Sequence, residues 1–218
     1  MPDTQVLPKV IKPKFIKGIE QTCLKTIDIE DEAIIKNVHI ADYIITKQEA
    51  TKVSFAGVIF SKVDFKGTVW NAAELTDVRF ENCDLSNVSF AGAIIHRTEF
   101  IHCKLLGLNL NDAALNNIAM NNCNGKFMLM NYMQMKNAIL TDCIFESSNI
   151  QDSKFAKVAF RECSFKLSQM SGTSLAGIDL SHSDFTGIGA RPEDIRGATV
   201  SPLQAVDFAK LFGLIVKV

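Results

Sequence analysis

Net charge is the first thing this 218-residue chain lacks, with 23 Lys and Arg against 24 Asp and Glu, a formal −1. So even a balance gives no bulk attraction to phosphate backbones, and direct nucleic-acid binding is not expected. No apolar run approaches the ~18–20 residues of a membrane span, which excludes a membrane protein of the helical kind. The opening MPDTQVLPKVIKPKF carries lysines but no continuous apolar stretch, so a signal peptide is not expected and the reading is cytoplasmic. Histidine is scarce. None of His39, His96, His102 and His182 stands at a spacing that would join it to a nucleophile and a carboxylate. Gly-rich phosphate loops, metal-ligand clusters and nucleophile elbows are missing too. The expectation is no enzyme, no cofactor and no metal.

What the chain does have is a beat. Cys83, Cys103, Cys123, Cys143 and Cys163 are spaced by 20 every time. A finer period of five runs beneath, from Phe55, Phe60, Phe65, Trp70, Leu75, Phe80 through Phe100 and on to Phe185; of its 27 positions only Gly125 is not large and apolar. Five matches neither the 3.6 of a helix nor the 2 of a flat strand. A chain that turns a corner after each five-residue side satisfies it, and four sides return it to its start after 20 residues. Coils then stack about 4.8 Å apart through strand-like hydrogen bonds.

The other positions agree. Two residues before each large one lies a smaller apolar or hydroxyl residue, such as Val58, Val78, Thr98, Ile118 or the five cysteines. Large and small residues together fill a square interior. Two residues after each large one recur Gly57, Asp77, Asn82, Gly92, Gly107, Asp112, Asn117, Asn137, Asp152 and Gly172, types that tolerate the positive φ of tight turns. The cysteines read as thiols filling small core slots, because a column presents them in parallel instead of converging on a metal. They and Phe60, Phe80 and Phe100 form the structural ladder.

Three segments follow. Residues 1–34 look irregular, with Lys9, Lys12, Lys14 and Lys17 on what reads as a solvated arm. Residues 35–187 hold the repeats, and residues 188–218 a terminal cap. There, Ser201-Pro202-Leu203-Gln204 is a helix start with an N-cap serine, proline at the first position and a capping box, and Gly213 is a stop. The ending LIVKV is strand-like and apolar. One side of this helix is expected to close the end of the solenoid. Leu203, Val206, Phe208, Leu211, Phe212, Leu214 and Val216 are then available for a two-fold homodimer, with a monomeric cap as the alternative.

Segments such as CDLSNVSFAGA (Cys83 to Ala93) and SLAGIDLSHSDFTGI (Ser174 to Ile188) closely resemble the unit of pentapeptide-repeat proteins. That resemblance implies an all-β solenoid, a right-handed quadrilateral β-helix. The ending GATVSPLQAVDFAKLFGLIVKV and the stretch IEDEAIIKNVHI resemble the Qnr group of that family, above all its Gram-positive chromosomal type. The resemblance implies dimerisation through the C-terminus and a partner in DNA gyrase or topoisomerase IV, protected from fluoroquinolones by a rod resembling duplex DNA. The alternative is a scaffolding solenoid with another protein partner.

Mimicry of DNA requires an excess of acidic residues along the sides of the rod. Between Val53 and Gly187 lie 13 acidic and 11 basic residues. Glu81, Glu99, Asp142, Glu162 and Asp179 share the side of Phe80, and Asp112 and Asp152 the side of Leu110. These are the candidate partner contacts, and so small an excess is largely screened beyond ~8–10 Å in salt. Beside Gly125 the stretch NGKFMLMNYMQM places Phe127, Leu129 and Tyr132 outward and four methionines inward. It reads either as an adhesive patch or as local repacking around the missing side chain.

Overall fold

The computed structural model describes residues 7–19, 21–22 and 29–217. Cys23 and Asp28 lie outside them. Strands β1 (Gln21–Thr22), β2 (Ile34–Lys36), β3 (His39–Ala41), β4 (Glu49–Thr51), β5 (Ser54–Ser61), β6 (Val69–Asn71) and β7 (Glu74–Glu81) are followed by β8 (Ile94–Ile101), β9 (Ala114–Asn121), β10 (Gln134–Thr141) and β11 (Lys154–Arg161). Helix α1 (Pro202–Ala209) and a short 3-10 turn (Lys210–Phe212) come last. From β5 onward the eight-residue strands pair in parallel, each residue against the one 20 further on: Phe60 against Phe80, Phe80 against Phe100, Phe100 against Met120. This is an all-β parallel solenoid with 20-residue coils.

Each long strand covers two sides of the square, the first centred on residues such as Leu75 and the second on residues such as Phe80, and bends at the corner between them. The third side, that of Leu85, and the fourth, that of Phe90, are joined mostly by single bridges, such as Asp64 to Asp84 and Asn109 to Leu129, with the short pair β4–β6 on the fourth. The corners lie in the left-handed region, at φ 59° for Asp77, 58° for Asn117 and 68° for Gly92. Corner residues that the sequence reading passed over, including Lys62, Arg97, Phe127, Tyr132 and Leu167, adopt the same conformation.

The interior follows the beat. Phe60, Phe80 and Phe100 are fully buried and stack at 5.1 Å between ring centroids. The five cysteines are buried and free, within one column. Cys103 Sγ donates to the carbonyls of Phe80 and Ile101. Hydrogen bonds to neighbouring thiols, with burial, push Cys103 and Cys143 above the ordinary thiol range. At Gly125 the gap is filled from next door. A Cβ there would meet Met128 Sδ at 2.5 Å and the Phe145 ring at 3.0 Å.

The two ends depart from the repeat in different ways. Gln21–Thr22 pairs with His39–Ile40, so the ladder reaches back before residue 35. At the other end Ser201 caps α1: its hydroxyl accepts from Gln204 N–H at 3.3 Å, and its own N–H donates to Gln204 Oε1 at 2.8 Å. Gln204 Nε2 also donates to the carbonyls of Leu180 and Ser183, at 2.8 and 2.7 Å. The capping-box side chain therefore pins the helix across the last coil. Gly213, at φ 75°, ends the 3-10 turn that follows it. Two expectations are corrected here. Phe208, read as a dimer contact, is buried beside Phe185 and Ile188, and Leu211 packs partly against the core. Residues 214–217 form no strand.

Candidate interaction surfaces

An interaction surface on a regular rod has to come from what breaks the regularity. Pairing decides how much of the charge is free. Arg97 grips Asp77 with two bonds of 2.6 and 2.7 Å, and Arg79 holds Glu99 at 2.8 Å. Lys66 bridges Asp64 and Asp84, Lys126 pairs with Glu146 and Lys166 with Asp184. Glu99 is 7% exposed, so its expected role as a partner contact is corrected: the carboxylate is spent inside the rod surface on Arg79. Among the described residues Glu81, Asp112, Asp142, Asp152, Glu162 and Asp179 form no ion pair. Asp179 accepts from the Ser181 N–H and hydroxyl, which outweigh its partial burial and lower its pKa.

Asp142 and Glu162 occupy successive corners of the second side, with His182 next in line, and border a shallow groove. No group of three or more metal-ligating side chains converges among the described residues. Cys143 and Cys163 lie beneath this groove, yet both are buried. Asp112, Tyr132 and Asp152 follow one another down a corner of the fourth side, all exposed. Phe127 and Leu167 stand on the opposite corner of that side, with Leu129 between. The structure thus brings the expected apolar patch together with two of the free carboxylates. Repacking also occurred: Met128, Met130, Met133 and Met135 are buried beneath it.

The N-terminal arm, expected to be solvated, lies against the rod instead. Residues 7–17 lie along the corner that joins the first and second sides. Ile11 N–H donates to Asn117 Oδ1 at 3.1 Å and Lys14 N–H to Asp77 Oδ1 at 2.9 Å. The Arg79 guanidinium carbon sits 5.3 Å from the Phe15 ring centroid. The spacing is consistent with an extended strap. Three residues cover about 10 Å, and two coils rise about 9.6 Å. Its lysines point away from the rod and are exposed, while Pro8, Val10, Pro13 and Phe15 are half-buried. The only sequence signal was this alternation, too short and too broken by proline to stand out.

Asp77 ties the strap down. The bond from Arg97, with that from the Lys14 backbone, holds its carboxyl below the usual range. A depressed folded pKa contributes stability above the unfolded value of about 3.9 and loses it as pH falls through the folded one. The strap is therefore held at neutral pH and released in acid. Replacing both contacts, with Phe15→Ala and Asp77→Ala together, is expected to speed tryptic cleavage after Lys9 or Lys14 about tenfold by raising the open population. Unchanged digestion kinetics would refute the latch.

Comparison with known proteins agrees with the architecture. The family described as Pentapeptide repeats matches in eight copies, over residues 73–107 and 148–187. The matched residues fall in both halves of the solenoid. An uncharacterized protein of Bacillus subtilis (strain 168), YisX, is 30% identical over 126 residues. That match covers 57% of this chain and 58% of the relative, so the chain spans little more than half of the protein it matches. Among solved structures, full-length QnrB1, a plasmid-mediated fluoroquinolone resistance protein, is 14% identical with a TM-score of 0.40, covering 84% of this chain and all of that one. HetL, a pentapeptide-repeat protein involved in heterocyst differentiation regulation from the cyanobacterium Nostoc, is 16% identical with a TM-score of 0.35, covering 78% and 84%. No helix among the described residues is long and apolar enough to cross a membrane.

Proposed function

We propose that this chain is a non-enzymatic, cytoplasmic rod that pairs with a second copy through its C-terminus and binds a type II topoisomerase, DNA gyrase or topoisomerase IV, shielding it from fluoroquinolones. The observation that carries the reading is the lid at the C-terminal end. Its helix is docked, yet Leu203, Phe212, Leu214 and Ile215 remain 81%, 58%, 61% and 90% exposed, with Val206 and Val216 beside them. So much apolar surface gathered at one end is what a second copy covers. Pairing end to end doubles a rise of about 36 Å per solenoid, giving a stiff rod long enough to lie in a DNA-binding saddle.

The resemblance of residues 197–218 to the Qnr ending supports the choice of target. Glu81, Asp142, Glu162 and Asp179 supply the free carboxylates that such a saddle meets. The charge is too sparse for electrostatics alone, so shape and local contacts carry more of the affinity. A scaffolding rod with a different partner is the second reading, favoured by the apolar patch on the fourth side. The test is gyrase supercoiling poisoned by a fluoroquinolone. Added chain is expected to restore supercoiling, and a chain ending at residue 200 to restore far less. No rescue over a wide concentration range rules out the topoisomerase reading.

A further inference from the structure

Three large apolar residues among the described ones stand at left-handed φ: Phe127 at 63°, Tyr132 at 58° and Leu167 at 59°. They are 60%, 61% and 63% exposed. Elsewhere such corners carry glycine, alanine, or polar and charged residues. A bulky side chain in this conformation is strained, and here it recovers nothing from burial. All three strained, exposed residues border one side of the rod. Phe127 and Leu167 occupy one of its corners, Tyr132 the other, and Leu129, 38% exposed, lies between. Backbone strain that no internal contact repays is informative about binding.

The charges around the patch define the occupant. Tyr132 lies between Asp112 and Asp152 in its corner column, one coil or about 4.8 Å from each. Neither carboxylate forms an ion pair among the described residues. Arg191 is near enough to interact with Asp152, but its guanidinium bonds Asp194 and Glu193. The lysines beside Phe127 and Leu167 are engaged too, Lys126 with Glu146 at 2.8 Å and Lys166 with Asp184 at 3.0 Å. The face between the corners is lined by neutral amides, including Asn131, Asn149 and Gln151. An aromatic ring flanked by two free carboxylates attracts a guanidinium through the ring face and through charge-assisted hydrogen bonds. A second copy related by a two-fold axis would bring an equally acidic side whose bordering cations, Lys126, Lys166 and Arg191, are already paired, and a nucleic acid would meet repulsion.

We propose that the side from Phe127 to Tyr132 docks a basic, apolar segment of a partner protein, an arginine resting on Tyr132 between Asp112 and Asp152 and apolar side chains on Phe127, Leu129 and Leu167. This stands apart from the topoisomerase reading: a chain that leaves gyrase unprotected still binds such a segment.

The probe is a fluorescein-labelled peptide of alternating arginine and leucine, followed by anisotropy with the full chain at physiological salt. Tyr132→Asn is expected to weaken binding about three- to tenfold. The same variant should melt no lower than the parent, because asparagine accepts the left-handed corner. Asp112→Asn with Asp152→Asn should weaken binding as much. Asp42→Asn with Glu74→Gln removes the same formal charge elsewhere and should leave binding unchanged. The proposal is overturned if the parent does not bind, if Tyr132→Asn binds as well as the parent, or if both carboxylate pairs matter equally, which indicates diffuse attraction to a polycation.

Discussion

Phe80→Ala is expected to lower stability by about 3–5 kcal/mol, the range for emptying a fully buried aromatic site. Phe80 lies in the middle of a three-ring stack, 5.1 Å from both Phe60 and Phe100, and meets the edge of Phe65 at 5.8 Å. The ring is fully buried. Its place in the chain increases the damage. A solenoid coil touches only its neighbours, so one cavity weakens both interfaces of that coil. The backbone cannot close the gap, because coil spacing is set by parallel ladders on both flanks. Urea titration of the variant should show the loss as a lower midpoint. Phe155→Ala is the control: that side chain is half-buried with one edge contact, to Phe160 at 5.8 Å, and should cost less than half as much. Equal losses at the two sites would contradict the view that the stacked column dominates the core.

The second large effect is counter-intuitive from sequence. Gly125→Leu restores the apolar beat at its one missing position, yet it should destabilise by about 1–3 kcal/mol through overpacking. The space is occupied. Met128 Sδ already sits 2.5 Å from where the first added carbon would go, and the Phe145 ring, which cannot flex away, is at 3.0 Å. Met128→Ala alone should cost about 2–5 kcal/mol by opening the slot. Combined, the two changes exchange one filling for another. A double-mutant cycle is expected to show about 1–3 kcal/mol of compensation. Additive losses would mean that Met128 does not fill the glycine's gap.

These predictions follow from a part of the molecule that was largely legible in advance. The phase of the five-residue beat places the cysteine column, the Phe60–Phe80–Phe100 stack and the Asn, Asp and Gly corners. Ser201, Pro202, Gln204 and Gly213 marked the helix because capping is a local chemistry. Glu99 was legible as a member of the second side, but not as a buried one. Its burial depends on Arg79, 20 residues earlier, whose guanidinium in turn lies against Phe15 of the strap.

What the sequence by itself determined is therefore everything that repeats. A residue and its neighbour one coil away share an environment, so each position is read many times over and the register cannot slip without turning the core outward. Only the tertiary structure decided the parts that occur once. The strap from Ile11 to Phe15 finds Asn117 and Asp77 more than 60 residues away, Gln204 reaches back to Leu180, and Phe208 closes on Phe185. Such contacts join groups distant in the chain by single bonds, with no periodicity to announce them, and only the folded rod brings those groups within reach.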